Sequence, residues 1–253
     1  MSSWTSTLVE ICSAGAGRVW IDQCLALPQW SPKAQYRTRY AALQSTLDEL
    51  DRRLTEGQDC HLCVLTPDAI RSLQSRWPHR IEWLGSLGQA DTGWVTAAGD
   101  GQAYCVETVE ALRQSLISLD VLLVPDLQQS SGGRHLQRVL DQLAIPPSDM
   151  PALKSYAGGA QAVAALSAHA GQRVMACAQS TEVQAAPHAH YLGAFPAPYA
   201  LSTEYAVAAI RPHPDNQDSE TQTAWSVACD LGRYLCSPSQ QAVRSALGFA
   251  CVS

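Results

Sequence analysis

Small hydroxyl and glycine residues follow predicted strands at four places in the chain, and each place precedes a predicted helix. A helix N-terminus has unpaired backbone N–H groups and the positive end of the helix dipole, so it can hold an anion without lysine or arginine. In open α/β sheets such turns lie together at the carboxyl ends of the strands, where ligands bind. Because the same residues also favour helix ends for structural reasons, each turn is either a simple cap or a ligand contact. The four turns are Ser13-Ala14-Gly15, Ser45-Thr46, Ser130-Ser131-Gly132-Gly133 and Gly158-Gly159-Ala160.

Three side chains are the first candidates for acid, base or nucleophile if the chain is an enzyme. Glu182 follows Thr181 at the end of a predicted strand, where a carboxylate is either a general base or a solvated capping group. The other two candidates are His135, near the start of a predicted helix, and Cys12, at the end of the first predicted strand. The chain contains no Gly-x-Ser-x-Gly motif for a nucleophilic serine.

Metal and cofactor motifs are weak. Cys60-His61-Leu62-Cys63 resembles half of a zinc site or a redox pair, but no second pair follows at finger spacing, and strand cysteines are the favoured interpretation. His188-Ala189-His190 is interpreted as a surface loop rather than a metal site. Gly15-Ala16-Gly17-Arg18 does not complete a dinucleotide fingerprint. We therefore expect neither a metal nor a cofactor.

The overall charge provides no general attraction for anions. The 253 residues carry a formal net charge of −6, and the lysines and arginines are scattered rather than clustered. A nucleic-acid-binding protein would need a basic stripe, so nucleic acid is not an expected partner. An anion site in this chain must be local and built from oriented dipoles.

Cysteine usage and the N-terminus bear on the compartment. Nine cysteines, an odd number, lie mostly within apolar runs and are expected to behave as small buried hydrophobic residues in a reducing compartment. Residues 1–10 lack the basic and apolar regions of a signal peptide, and no run approaches the roughly 18 apolar residues of a membrane span. The chain as written is expected to be cytoplasmic, or periplasmic if a signal peptide has been removed.

Strand and helix patterns alternate along nearly the whole chain, which predicts an α/β fold with one or two mostly parallel sheets. Residues 120–125 form a short apolar run, typical of a strand buried on both faces. A capping box, Thr46 with Glu49, predicts a helix that begins there and ends at Gly57. The other predicted strands are 8–12, 36–40, 60–65, 173–178 and 203–210, and the other helices start near 66 or cover 107–119, 134–143, 161–169, 223–235 and 239–247.

Several segments resemble the molybdate-binding-like family of extracellular solute-binding proteins. Residues 120–126, the turn Ser130-Ser131-Gly132-Gly133 and residues 139–145 are similar to the central segment of that family. Gln179-Ser180-Thr181-Glu182 followed by residues 191–196 also resembles it, as do residues 235–241 and 247–249 near the C-terminus. The similarity follows chain order over nearly the whole sequence.

The resemblance implies a two-lobed, periplasmic-binding-protein-like fold with two mostly parallel sheets flanked by helices. Two crossover strands are expected near residues 83–97 and 191–210. Lobe I would comprise residues 1–83 and 197–253, lobe II would comprise residues 84–196, and the ligand would bind in the cleft between them. Such proteins close on their ligand by hinge motion.

The resemblance also implies a set of ligand-binding residues. Ser13 matches the first hydroxyl ligand and Ser45 or Thr46 the second. The family often has a tyrosine where Gln179 stands in this chain. The complete expected set is Ser13, Ser45, Thr46, Ser130, Ser131, Gly132, Gly159, Ala160, Gln179 and Thr181.

The implied function is binding of a small oxyanion (molybdate, tungstate or sulfate-like) or of a small carboxylate. The permease of an ABC transporter would then be a partner. The alternative is a cytosolic isomerase or lyase that acts on a small carboxylate with the same fold, using Glu182, His135 and Cys12. A regulatory ligand-sensing module has less support, because no helix-turn-helix or basic segment accompanies the fold.

Overall fold

The computed structural model describes residues 7–30, 34–99, 104–216 and 218–252, in which strands and helices alternate. The strands are β1 (Leu8–Ala14), β2 (Gln35–Ala41), β3 (Leu62–Leu65), β4 (Ile81–Ala97), β5 (Val121–Pro125), β6 (Ala152–Tyr156), β7 (Val174–Gln179), β8 (Ala189–Ala194), β9 (Ser202–Ile210) and β10 (Phe249–Ala250). The helices are α1 (Arg18–Leu25), α2 (Leu43–Thr55), α3 (Pro67–Arg76), α4 (Val109–Ile117), α5 (Ser131–Leu143), α6 (Gly159–Ala164), α7 (Ser180–Val183), α8 (Ser219–Cys236) and α9 (Gln241–Ala246).

The chain divides into two compact units. Unit 1 comprises Met1–Gln89 and Glu204–Ser253, and unit 2 comprises Ala90–Thr203. The boundaries lie a few residues C-terminal to those expected for the two lobes. Only β4 and β9, among the described elements, run across the boundaries, and they are the two crossover strands. The second crossover is shorter than expected, because residues 191–194 belong to the separate strand β8.

The sheet of unit 1 is built around β1. This strand pairs in parallel with β2 and β3, and β9 is antiparallel to β3. Successive side chains point to opposite faces of a strand. Cys12 therefore faces α2 and α3, where it packs in a cluster with Leu50, Leu65 and Ile70, while the neighbouring Ser13 points to the other face.

The sheet of unit 2 is built around β5, which pairs in parallel with β6 and β7; β4 is antiparallel to β7 and β8. Leu122 and Val124 face one core, together with apolar side chains of α4 and α5. Val121 and Leu123 face a second core against α6 and α7. Helices thus cover both faces, which is why residues 121–125 are continuously buried.

The helix α2 begins earlier than the capping box predicts. Ala42 is its N-cap, and the N–H of Thr46 already donates to the Ala42 carbonyl at 2.9 Å. The hydroxyl of Thr46 donates back to the same carbonyl at 3.0 Å, as threonine does inside a helix. Glu49 forms ion pairs with Arg52 and Arg53 instead of capping. The Thr46–Glu49 capping box is therefore wrong.

Two shorter predictions are also corrected. Cys60 and His61 precede β3, which begins at Leu62. Ala189 and His190 lie in β8 rather than in a surface loop, because they pair with the crossover strand β4. Among the described residues, no helix combines the length and the apolar character needed to cross a membrane. No group of three histidine, cysteine or carboxylate side chains in these same segments could hold a metal ion.

Candidate functional site

In unit 1 the structure brings Ser13 and Thr46 together, although 33 residues separate them. Ser13 lies at the end of β1 and is fully buried, and its hydroxyl donates to the carbonyl of Ala14 at 2.7 Å. Thr46, also buried, places its Oγ1 3.4 Å from the Ser13 carbonyl oxygen. Ser45 is exposed on α2. Of the two residues expected to supply the second hydroxyl, Thr46 is the one next to Ser13.

The helices that begin beside Ser13 lack side-chain caps. The N-cap residue of α2 is Ala42, and the residues at the N-cap positions before α1 are Ala14 and Gly17. None of these three has a side chain that can accept a hydrogen bond. Every other described helix of eight or more residues is capped by its own side chain: Thr66 for α3, Thr108 for α4, Ser130 for α5 and Asp218 for α8. A 3₁₀ turn, Gly15–Gly17, leads directly into α1, and the N–H of Arg18 donates to the carbonyl of Gly15. Among the longer helices, the turns that start this segment and α2 are therefore the ones without a capping side chain. We call Ser13, Thr46 and these two N-terminal turns the unit 1 corner.

The turn before α5 in unit 2 is a conventional cap. The Ser130 hydroxyl accepts from the N–H of Gly133 at 2.8 Å and donates to the carbonyl of Asp126 at 2.9 Å. Both functions of this hydroxyl are thus used inside the protein. Ser131 is exposed, and a side chain added at Gly132 would meet no atom within 4 Å.

At the start of α6, a carboxylate of the protein itself fills the expected anion position. Glu182 accepts from the N–H of Gln179 at 3.0 Å and from the N–H of Ala160. Its Oε2 lies where any residue larger than glycine at position 159 would place a Cβ. Burial raises the pKa of the Glu182 carboxyl, and the two backbone hydrogen bonds oppose this shift. The N–H groups of Gln179 and Ala160, two residues expected to contact a ligand, therefore donate to the carboxylate of Glu182 instead.

Thr181 differs from these residues. It is 2% exposed, and its hydroxyl forms no hydrogen bond within the described part of the chain. A buried hydroxyl without a partner is energetically unfavourable. Thr181 is therefore the expected site residue of unit 2 whose hydroxyl has no internal partner.

The three enzyme candidates are held in separate environments. His135 Nε2 is 2.8 Å from the carbonyl oxygen of Tyr199, and its ring packs edge-on against Phe195. It therefore lies on the α4–α5 face of the unit 2 sheet, whereas Glu182 belongs to α7 on the opposite face. Cys12 lies in the core of unit 1. These positions do not favour a shared acid/base mechanism.

One polar group in unit 2 was not anticipated from the sequence. Asp91 receives hydrogen bonds at its carbonyl from the Tyr191 hydroxyl at 3.3 Å and at its carboxylate from Ser202. Its own N–H donates to the Ser180 hydroxyl at 3.2 Å. Burial is the first cause that raises the pKa of Tyr191, followed by the charge of Asp91. Asp91 is the one carboxylate of β4 that lies in unit 2, within a largely apolar stretch, and this was the signal available in the sequence.

Comparisons with known proteins identify the fold. No family model and no curated protein matches the chain. Among solved structures, the periplasmic molybdate-binding protein of Azotobacter vinelandii is similar with a TM-score of 0.64 and 11% identity, covering 97% of this chain and 100% of that chain. The sulfate-binding protein SubI of Mycobacterium tuberculosis has a TM-score of 0.59 and 15% identity, covering 98% and 88%.

A regulatory domain shares the same fold. The bromide-bound regulatory domain of HypT from Salmonella typhimurium has a TM-score of 0.56 and 15% identity, covering 96% of this chain and 99% of that chain. At these identities the likeness describes the fold and not the ligand. The chain has the two-lobed α/β fold of the periplasmic binding proteins.

Proposed function

We propose that this chain is a binding protein for a small oxyanion of the molybdate, tungstate or sulfate type, or for a small carboxylate. The observation that carries the proposal is the unit 1 corner, where two uncapped helix N-termini begin beside the buried hydroxyls of Ser13 and Thr46. Such N-termini favour anions through their free N–H groups and their dipoles. The anion-binding proteins among the structural neighbours support the same conclusion.

The hydrogen-bond donors proposed for the unit 1 corner are hydroxyls and backbone N–H groups, which carry no formal charge. The Ser13 hydroxyl now donates to the carbonyl of Ala14, and it can turn its single proton toward an anion instead. The anion would thus replace an internal hydrogen bond, so the net gain from one hydroxyl is modest, about 0.5–1.5 kcal/mol. Neutral donors select by cavity size and protonation state rather than by charge.

The expected ligand set can now be ranked. Ser13, Thr46 and the backbone that follows Ser13 come first, and Thr181 is the strongest candidate in unit 2. Ser130 serves its own helix, and Glu182 occupies the N–H groups of Ala160 and Gln179. An ABC transporter permease remains the partner expected for a binding protein of this kind.

Titration calorimetry and thermal denaturation test the proposal. Sodium molybdate, tungstate, sulfate and succinate are each compared with sodium chloride at equal ionic strength. A ligand at 100 times its Kd is expected to stabilise the protein by about 2.7 kcal/mol. The absence of heat and of stabilisation with every one of these anions at millimolar concentration would exclude the proposed function.

Substitutions locate the site. Ser13→Ala and Thr46→Val each remove one hydroxyl and are expected to weaken binding by about twofold to tenfold. Ser45→Ala is the matched control, since Ser45 lies on the same helix but is exposed. If all three variants bind with equal affinity, the anion is held elsewhere.

A further inference from the structure

A cavity in unit 1 lies at the edge of the sheet opposite to the unit 1 corner. Ser13 is near the carboxyl end of β1, whereas the cavity is formed where β3 begins and β9 ends. Since β1 and β3 are parallel, these two places are opposite edges of one sheet. The cavity has a volume of about 320 Å³, within the range of small-molecule sites, roughly 300–1,000 Å³. We call this space the edge cavity; its lining includes Asp59, His61, Arg80, Arg211 and Asp215.

His61 presents an unused hydrogen-bond donor to the edge cavity. The residue is 4% exposed, and its Nδ1 accepts from the backbone N–H of Glu10 at 3.0 Å. Burial lowers the pKa of His61, which keeps the ring neutral at pH 7, so the single ring proton is on Nε2. This Nε2 has no hydrogen-bond partner among the described residues and is not sealed from solvent, so it faces the cavity that the ring lines. A buried N–H group normally has a partner, and here a ligand can supply it.

The guanidinium of Arg80 provides further unused donors. Its Nε donates to the carbonyl of Arg211 at 2.7 Å, and the N–H of Arg211 donates to the carbonyl of Arg80 at 2.7 Å, so Arg80 is tied to the end of β9. Within the described part of the chain, no group accepts from its two Nη atoms and no carboxylate forms an ion pair with it. Arg211, by contrast, is already paired with Glu82 at 2.6 Å. The free Nη atoms of Arg80 offer the planar pair of N–H groups that a carboxylate matches.

Two carboxylates restrict the kind of anion that the edge cavity can hold. Asp59 and Asp215 line it and are exposed, whereas His61 is buried. A multiply charged anion such as sulfate would be repelled by these two carboxylates. A ligand with a carboxylate at one end and an ammonium group at the other would be attracted at both ends. Because Asp59 and Asp215 are exposed, they contribute more to the choice of ligand than to the strength of binding.

We propose that the edge cavity is a second binding site, for a small amino acid or a similar zwitterion. The carboxylate of the ligand accepts from the Nη atoms of Arg80 and from Nε2 of His61, and its ammonium group faces Asp59 and Asp215. This site goes beyond the anion site proposed for the unit 1 corner and does not depend on it, because the two use different residues at opposite edges of the sheet.

Thermal denaturation and titration calorimetry test the site. Each common amino acid is screened at millimolar concentration against sodium chloride, and stabilisation by at least one of them is expected. That amino acid is then compared with the carboxylic acid that lacks its amino group and with the amine that lacks its carboxylate. The amino acid should bind most tightly and the amine should not bind. The proposal is overturned if no amino acid stabilises the protein, or if either analogue binds as tightly as the amino acid.

Substitutions place the ligand in the cavity. Arg80→Gln removes charge-assisted hydrogen bonds and should weaken amino acid binding about tenfold to a hundredfold. Arg80→Lys keeps the charge without the planar fork, so its affinity should be intermediate. His61→Asn keeps an acceptor for the N–H of Glu10 but lacks the Nε2 donor, and should weaken binding about twofold to tenfold. Arg71→Gln is the matched control, since Arg71 is an exposed arginine of α3 outside the cavity lining.

Ser13→Ala separates the two proposed sites. Amino acid binding should be the same in Ser13→Ala as in wild type, whereas anion binding at the unit 1 corner should weaken. Circular dichroism checks the fold of each variant, and Arg80→Lys decides the assignment if Arg80→Gln does not fold. Wild-type amino acid affinity in the folded Arg80 variants overturns the edge cavity site. Loss of amino acid binding in Ser13→Ala, with none in the Arg80 variants, moves the amino acid to the unit 1 corner and overturns it equally, while the proposed anion binding stands.

Discussion

Glu182 places its carboxylate directly against the backbone of Gly159, in the space that a Cβ at that position would need. The same carboxylate accepts from the N–H groups of Gln179 and Ala160. The start of α6 therefore holds an acceptor supplied by the protein. The start of α6 differs in this respect from the unit 1 corner, where no capping side chain accepts from the helix N-termini among the described residues.

Replacement of Glu182 is expected to change the pH dependence of stability. Burial raises the pKa of this carboxyl in the folded state, so the folded protein binds the proton more tightly than the unfolded chain does. The stability that Glu182 contributes is fully present below its unfolded pKa, about 4.3, and is lost as pH rises through the higher folded pKa. Glu182→Gln does not titrate, so its melting temperature relative to wild type should increase over that range and then level off.

Asp218→Asn is the matched control for this pH series. Asp218 caps α8, and its pKa is lowered mainly by the hydrogen bond from the N–H of Thr221. Its contribution is therefore present above the unfolded pKa and is lost as pH falls. The melting temperature of Glu182→Gln relative to wild type should rise as pH increases, whereas that of Asp218→Asn should rise as pH decreases. A Glu182→Gln melting curve that runs parallel to wild type at every pH would contradict the role assigned to this carboxyl.

Gly17→Ala is expected to destabilise the protein through contact with Ser13. A Cβ at Gly17 would lie 2.6 Å from the Ser13 hydroxyl and 3.2 Å from Cγ1 of Val64. The backbone of Gly17, with φ −78°, suits alanine, so the cost is steric and should be about 1–3 kcal/mol in urea denaturation. Gly132→Ala is the control, since nothing lies within 4 Å of its added Cβ.

The double variant Ser13→Ala with Gly17→Ala sharpens this prediction. Removal of the Ser13 hydroxyl relieves the closest contact, so the double variant should be more stable than the sum of the single effects implies. Strict additivity would show that the Ser13 hydroxyl is not what limits the space at Gly17.

Ser130→Ala should lower stability without affecting anion binding. The Ser130 hydroxyl caps α5 through Gly133, and loss of such a cap costs about 1 kcal/mol. The exposed Ser131→Ala variant should change stability by less than about 0.5 kcal/mol. Chemical denaturation measures the stability of both variants. Calorimetry with the anion identified for wild type measures the anion affinity of Ser130→Ala. Weaker anion binding by Ser130→Ala would place α5 within the ligand site after all.

Several elements were predictable because their signals are local. The apolar run at residues 120–125 becomes β5 (Val121–Pro125), and the run at 173–178 becomes β7 (Val174–Gln179), since strands buried on both faces require continuous apolar residues. The strand predicted at 36–40 is present as β2 (Gln35–Ala41). The start of α2 was not predictable by the same means, because the pattern at Thr46 and Glu49 fits a cap and a helix interior equally well.

The sequence was sufficient for the alternating α/β order and for the positions of serine, threonine and glycine near helix starts, because both depend on residues close in the chain. Which of those turns remain available to an anion depends on residues far apart in the chain. Thr46 meets Ser13 through the packing of α2 on β1, and Glu182 meets Gly159 through the packing of α6 on β7. A backbone N–H group can donate its proton to only one acceptor at full strength, so the distant carboxylate of Glu182 occupies donors at the start of α6, whereas the turns of the proposed corner have no capping side chain.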